Sequence, residues 1–146
     1  MSPATWTKDV PRIGVSVRVY PEYRTALDTF TASCQAAGMT ALQRYDVLEF
    51  LMADLLTDAG RRALVRRIAE RPLPRRQKGA RAPRGMLSAR IRPEYMEGLQ
   101  ATLDAALDID LVTLERYHVL EYLLAPLLTD EGQMQTLDAL LQQRPG

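Results

Sequence analysis

The chain has 146 residues, about the size of one ordinary domain. Its 19 Lys+Arg and 18 Asp+Glu leave a net charge of +1, a total that gives no sign of a nucleic-acid protein, and 47% hydrophobic with 25% charged residues is the make-up of a soluble globular chain. A single cysteine, Cys34, excludes an intramolecular disulfide and a single histidine, His118, excludes the common Cys/His zinc sets, so no metal or cofactor and a reducing, cytoplasmic setting are expected.

The first residues, MSPATWTKDVPRIG, carry no continuous apolar stretch of the kind a secretory signal needs. The longest helical run without a charged or strongly polar residue, Tyr122 to Leu128, is far below the ~18 residues that span a bilayer, so no membrane role is expected. Residues 13–20 then alternate: Val15, Val17 and Val19 on one side, Ser16, Arg18 and Tyr20 on the other, the period of a strand. Pro21 ends it and suits the first turn of a helix, with Glu22 complementing the positive helix start. That helix carries Tyr23, Leu27, Phe30, Cys34 and Ala37 at three- and four-residue steps and stops at Gly38. Thr40-Ala41-Leu42-Gln43 reads as a capping box for a second helix with Leu42, Tyr45, Leu48, Met52, Leu55 and Leu56 on one stripe. Thr57-Asp58 reads as the N-cap of a third, with Leu64, Val65 and Ile68 turned inward and Arg61, Arg62, Arg66, Arg67 and Arg71 outward, as a solvated face or a second basic contact.

Leu73 to Gly85 (LPRRQKGARAPRG) holds two prolines, two glycines, five basic residues and no acid, a linker of at most about 43 to 47 Å fully extended. After it everything returns. Sliding residues 13–60 onto 85–132 without a gap gives 19 identities in 48 positions, all at an offset of 72. Leu87, Ala89 and Ile91 alternate with Ser88, Arg90 and Arg92; Pro93-Glu94-Tyr95 repeats Pro21-Glu22-Tyr23; Arg116-Tyr117 repeats Arg44-Tyr45; Leu-Leu-Thr-Asp recurs at 127–130. The second stripe is Leu114, Tyr117, Leu120, Leu124, Leu127 and Leu128, with Pro126 expected to kink or end that helix. The expected organisation is an arm over 1–12, a first copy over 13–72, a basic linker over 73–85 and a second copy over 86–146.

One strand in a unit of this size cannot satisfy its own ladder, so the two strands are expected to pair antiparallel within the chain, over amphipathic helices. The order and residues (VSVRVYPEYRTALDTF, then AAGMTALQRYDVLEFLMADLL) resemble the ribbon-helix-helix DNA-binding family, twice over about 45 residues. The resemblance implies a mainly α fold with a short two-stranded antiparallel ribbon, β-α-α-α repeated twice as a single-chain pseudo-dimer, with the ribbon's polar face in the major groove of duplex DNA. It implies base contacts by Ser16, Arg18, Tyr20, Ser88, Arg90 and Arg92, and a phosphate clamp at Met39-Thr40-Ala41, where Asp110-Leu111-Val112-Thr113 of the second copy departs from the glycine turn. Arg44 and Arg116 either reach phosphate or pair with acids; the linker cations Arg75, Arg76, Lys78, Arg81 and Arg84 are candidate phosphate contacts; the arm's Trp6, Lys8 and Arg12 either follow DNA or fold onto the helices.

Proteins of this kind act in transcription control, plasmid partition, conjugative DNA processing or as antitoxins, often side by side on adjacent half-sites. Tyr20 opposite Arg92 suggests an asymmetric site. The alternatives are a protein-interaction adaptor using the acidic second copy, with weak DNA binding, and an antitoxin-like protein in which DNA binding is secondary. No nucleophile with an adjacent base and no phosphate-binding glycine loop is present, so an enzyme is not expected. His118 reads as a surface residue, Cys34 as a small core residue, and Tyr45 and Tyr117 as packed rings whose hydroxyls reach a partner. The +1 total conceals unlike parts: residues 1–72 sum to +2, residues 73–85 to +5 and residues 86–146 to −6.

Overall fold

A computed structural model describes residues 11–73, 83–111 and 114–143. Trp6, Lys8, Arg75, Arg76, Lys78 and Arg81 lie outside the described residues, as do Val112 and Thr113. The described residues are mostly helical with one two-stranded sheet. The order of elements is strand β1 (Ile13–Val19), helices α1 (Pro21–Ala36), α2 (Arg44–Leu51) and α3 (Asp58–Glu70), strand β2 (Gly85–Ile91), then α4 (Pro93–Leu107), α5 (Arg116–Leu124) and α6 (Asp130–Gln143). A turn of 3-10 helix joins α2 to α3 (Ala53–Leu56) and α5 to α6 (Ala125–Leu128).

β1 and β2 pair antiparallel, with Ser16 opposite Ser88 and Ile13 opposite Ile91. Val15, Val17, Val19, Leu87 and Ile91 turn to the core, with Ala89 half-buried among them, as the period of two requires. Pro21 and Pro93 each occupy the first helical position, where a missing amide costs nothing. α1 stops in a Schellman turn: Gly38 adopts φ 112°, its amide donates to the Gln35 carbonyl at 3.1 Å, and the Met39 amide reaches back to Cys34 at 3.1 Å. The second copy repeats this turn without glycine. Asp110 takes φ 62°, and Leu111 donates to the Ala106 carbonyl at 2.9 Å. Aspartate is among the few residues that tolerate this left-handed conformation, so the sequence departure leaves the backbone path unchanged.

The expected capping box is displaced. α2 starts at Arg44, and the Asp46 carboxylate accepts from the Gln43 amide at 2.8 Å; Thr40 and Ala41 stay exposed in the preceding turn. Both central helices end before the Leu-Leu-Thr-Asp motif, in the first copy without any proline, so Pro126 fits a break that both copies make. Leu56 and Leu128, expected on the buried stripe, are consequently exposed. The third helices are capped as expected: Thr57 Oγ1 accepts from the Gly60 amide and Thr129 Oγ1 from the Gly132 amide, both at 3.0 Å. These two glycines are required by close approach, because a Cβ on Gly60 would lie 2.2 Å from the Asp54 carbonyl oxygen and one on Gly132 1.9 Å from that of Pro126.

The packing crosses between copies. α2 lies beneath β2 and α5 beneath β1, while α1 packs on the 3-10 turn of the second copy and α4 on that of the first. One continuous core results, with Leu27, Phe30, Leu48, Leu99, Leu120 and Leu124 fully buried in it. No described helix is long and apolar enough to cross a membrane.

Candidate nucleic-acid interface

Pairing of the strands leaves one face of the ribbon open, carrying Gly14, Ser16 and Arg18 from β1 and Met86, Ser88 and Arg90 from β2. The two serine hydroxyls meet at the centre, 3.2 Å apart. Arg18 and Arg90 stand at diagonally opposite corners, Arg18 facing Met86 and Arg90 facing Gly14 across the ladder. Arg18 has no hydrogen-bond or ion-pair partner among the described residues, whereas Arg90 Nη2 donates to the Arg12 carbonyl at 3.2 Å. Four of the six expected base-contacting residues are thus brought together.

Tyr20 and Arg92 are placed elsewhere. Each lies one residue beyond its strand and becomes the N-cap of the following helix. The Arg92 amide donates to Glu49 Oε2 at 2.8 Å and its Nε to Oε1 at 3.1 Å, leaving that side chain 12% exposed. Arg92 Nη2 also donates to the Tyr95 hydroxyl at 3.1 Å. The Tyr20 amide donates to Glu121 Oε2 at 3.0 Å, and its half-buried ring lies 4.1 Å beneath the Arg84 guanidinium. The alternation that placed them on the polar face ends with the strands.

Glu49 and Glu121 are the buried anchors of this arrangement, 0% and 4% exposed. From the strand start of its own copy, each accepts a guanidinium: Arg12 Nε to Glu49 at 3.2 Å and Arg84 Nε to Glu121 at 3.0 Å. From the other copy, each accepts the backbone amide of a strand-to-helix joint. The same guanidiniums stack on the expected core tyrosines, Arg12 over Tyr45 and Arg84 over Tyr117, both at 3.9 Å, so these rings offer their faces to a cation. Arg84, expected on phosphate, is held in this way with its side chain 28% exposed. Burial works against its charge, but the Glu121 hydrogen bond and carboxylate outweigh that and raise its pKa.

Asp46 lies against the first cluster. Burial pushes its carboxyl up to about 6, with the Gln43 amide and Arg12 pulling the other way. Its Oδ1 accepts no hydrogen bond, the Arg12 Nη2 standing off at 3.7 Å. His118 holds the equivalent place in the second copy and is half-buried, contrary to the surface position expected. Its Nδ1 accepts from the Glu115 amide at 2.9 Å, repeating the cap that Asp46 makes, and burial followed by the Arg84 charge lowers its pKa. Cys34 is fully buried as expected, and burial pushes its thiol up to about 11.

The phosphate candidates divide. Met39 is buried with its amide spent on the α1 stop, and Met39-Thr40-Ala41 precedes the start of α2 by several residues, so these amides do not form a helix N-terminus. Arg44 braces the ribbon instead: it pairs with Asp28 at 3.2 Å and donates to the Ser88 carbonyl. Arg116 is exposed at the first position of α5 and borders a groove of about 320 Å³ beside Ser16 and Val17. No group of three or more metal-ligating side chains occurs among the described residues. The Arg12 and Arg84 roles had a sequence signal, since Pro11-Arg12 and Pro83-Arg84 extend the 72-residue repeat just beyond its matched window. No protein-family model, curated protein or solved structure matches the chain.

Proposed function

We propose that the chain is a tandem ribbon-helix-helix protein, two units in one polypeptide, that binds duplex DNA by laying its β1–β2 ribbon in the major groove. On this reading it serves as a transcriptional regulator or as an accessory protein of plasmid partition or conjugative transfer. The observation that carries the reading is the antiparallel register centred on Ser16 and Ser88, which sets Ser16, Arg18, Ser88 and Arg90 together on one exposed face. A two-stranded ribbon fits the width of the major groove, and arginine is the side chain best matched to guanine O6 and N7. The resemblance noted in the sequence points the same way. Arg116 and, in the linker, Arg75, Arg76, Lys78 and Arg81 supply cations for phosphate contact, and charge favours engagement of the first copy and linker over the acidic second copy.

Selection of bound sequences from random duplex DNA, with a salt titration, tests this. The parent enriches a motif, and its affinity falls linearly in log–log with salt. Arg18→Ala with Arg90→Ala removes the sequence preference, at a cost of about 1–3 kcal/mol per arginine, while the fold's melting is unchanged. A double variant that keeps the parent's motif and affinity overturns the ribbon as the reading surface, and uniform weak binding by the parent favours a protein-interaction adaptor.

A further inference from the structure

Around the centre of the ribbon the exposed face is two-fold in its serines and arginines but not in its remaining pair. Positions 14 and 86 are equivalent by the 72-residue offset, and one is glycine while the other is methionine. Met86 lies directly opposite Arg18, is 44% exposed, and has its carbonyl held by Arg24 Nη1 at 3.1 Å, which fixes the strand where its side chain leaves it. Gly14 lies opposite Arg90, and among the described residues a Cβ built there meets nothing within 4 Å, so Gly14 adds no side chain to that end. The arginines differ accordingly. Arg18 stands beside an apolar side chain with no partner among the described residues, and Arg90 is drawn back to the Arg12 carbonyl.

In the major groove the thymine methyl is the one apolar group that a base edge offers. Methionine, long, flexible and polarizable, suits contact with it. We infer that Met86 is a specificity-determining residue that gives the recognised DNA a direction: the Arg18–Met86 end reads guanine with a neighbouring thymine methyl, and the Arg90–Gly14 end reads guanine alone. This rests on the DNA-binding reading above. It also moves the source of asymmetry from Tyr20 and Arg92, which cap the helices after the strands, to the pair that faces outward.

The test uses the full chain and its own selected duplex. Selection with the parent yields two unequal halves, one bearing a thymine that the other lacks. Replacing that thymine by deoxyuridine deletes only the methyl and weakens the parent about fourfold, the worth of one buried methyl-sized group. Met86→Gln, which keeps the side-chain length and the strand pairing, loses both the thymine preference and the sensitivity to deoxyuridine. Gly14→Met, whose Cβ meets no described residue within 4 Å, gains a thymine preference in the mirror half. A palindromic parent motif, or a deoxyuridine effect that persists in Met86→Gln, overturns the inference while leaving ribbon binding intact. Absence of salt-dependent duplex binding by the parent and all variants overturns the DNA reading itself, and this inference with it.

Discussion

Two guanidiniums and two carboxylates meet around Glu49, one of each around Glu121. The first cluster joins Arg12 and Arg92 to Asp46 and Glu49; the second joins Arg84 to Glu121, with Tyr20 standing where Arg92 does and His118 where Asp46 does. The copies therefore differ at two positions within these clusters, Tyr20/Arg92 and Asp46/His118, and the differences cancel in charge. Either one alone would leave a partly desolvated charge uncompensated, at a cost of about 1–3 kcal/mol. A residue that differs between two copies of a repeat must be weighed with whatever it touches in the other copy: the Tyr20/Arg92 difference belongs to the charge balance of the interior.

Removing an anchor breaks the comparison most severely. Glu49→Gln removes the buried carboxylate that two guanidiniums share and Glu121→Gln that of one, so a loss of about 3–5 kcal/mol is expected at Glu49 and a smaller one at Glu121, read as a lowered denaturant midpoint at unchanged m. Equal losses at the two sites would mean that the second arginine of the first cluster contributes nothing. A double-mutant cycle sharpens the charge matching. Tyr20→Arg and His118→Asp each destabilise by about 1–3 kcal/mol alone, and together they rebuild the first cluster's set in the second and recover at least about 1 kcal/mol as coupling. Strict additivity would show that the two positions do not compensate each other.

The smallest effect is in pH. Asp46 is raised to about 6 in the folded state, so its contribution to stability is full below its unfolded pKa and is lost as pH rises through about 6. Relative to Asp46→Asn, the parent is expected to lose about 1 kcal/mol between pH 5 and 7, followed by urea denaturation. His118 runs the other way. Its folded pKa is lowered, so its contribution is present above its unfolded pKa and lost as pH falls through the folded one, and the parent's advantage over His118→Asn shrinks in acid. A parallel pH response of the two variants would remove the distinction between the clusters.

Much of the fold is legible in the sequence because its signals are local or periodic. The strands follow from alternation, the helix starts at Pro21 and Pro93 from proline chemistry, and the caps at Thr57 and Thr129 from a hydroxyl three residues before the amide it serves. The pairing follows from the 72-residue repeat. What is not legible depends on contacts distant in sequence. Glu49 and Glu121 are charged residues within helices, and nothing local marks them as interior until Arg12, Arg84 and the two strand-to-helix joints are folded onto them. The start of α2 misleads for a related reason: Thr40 has cap chemistry, but the reciprocal acceptor is Asp46, which reaches Gln43. Asp110 misleads in the opposite sense, since a changed residue type keeps the same left-handed turn. Of the candidate interface, the inner pair Ser16/Ser88 and the arginines Arg18/Arg90 are legible from alternation alone, whereas the exclusion of Tyr20 and Arg92 needs the helix caps.

The amide that Glu49 accepts belongs to Arg92, 43 residues later in the chain. During synthesis at about 5–20 residues per second, the first half therefore waits on the order of 2 to 9 s after its acceptor is made before the donor exists. In that interval the open carboxylate and the unpaired edge of β1 are the surfaces a second nascent chain would capture, so the order of translation sets when the molecule is most exposed to exchange of its halves.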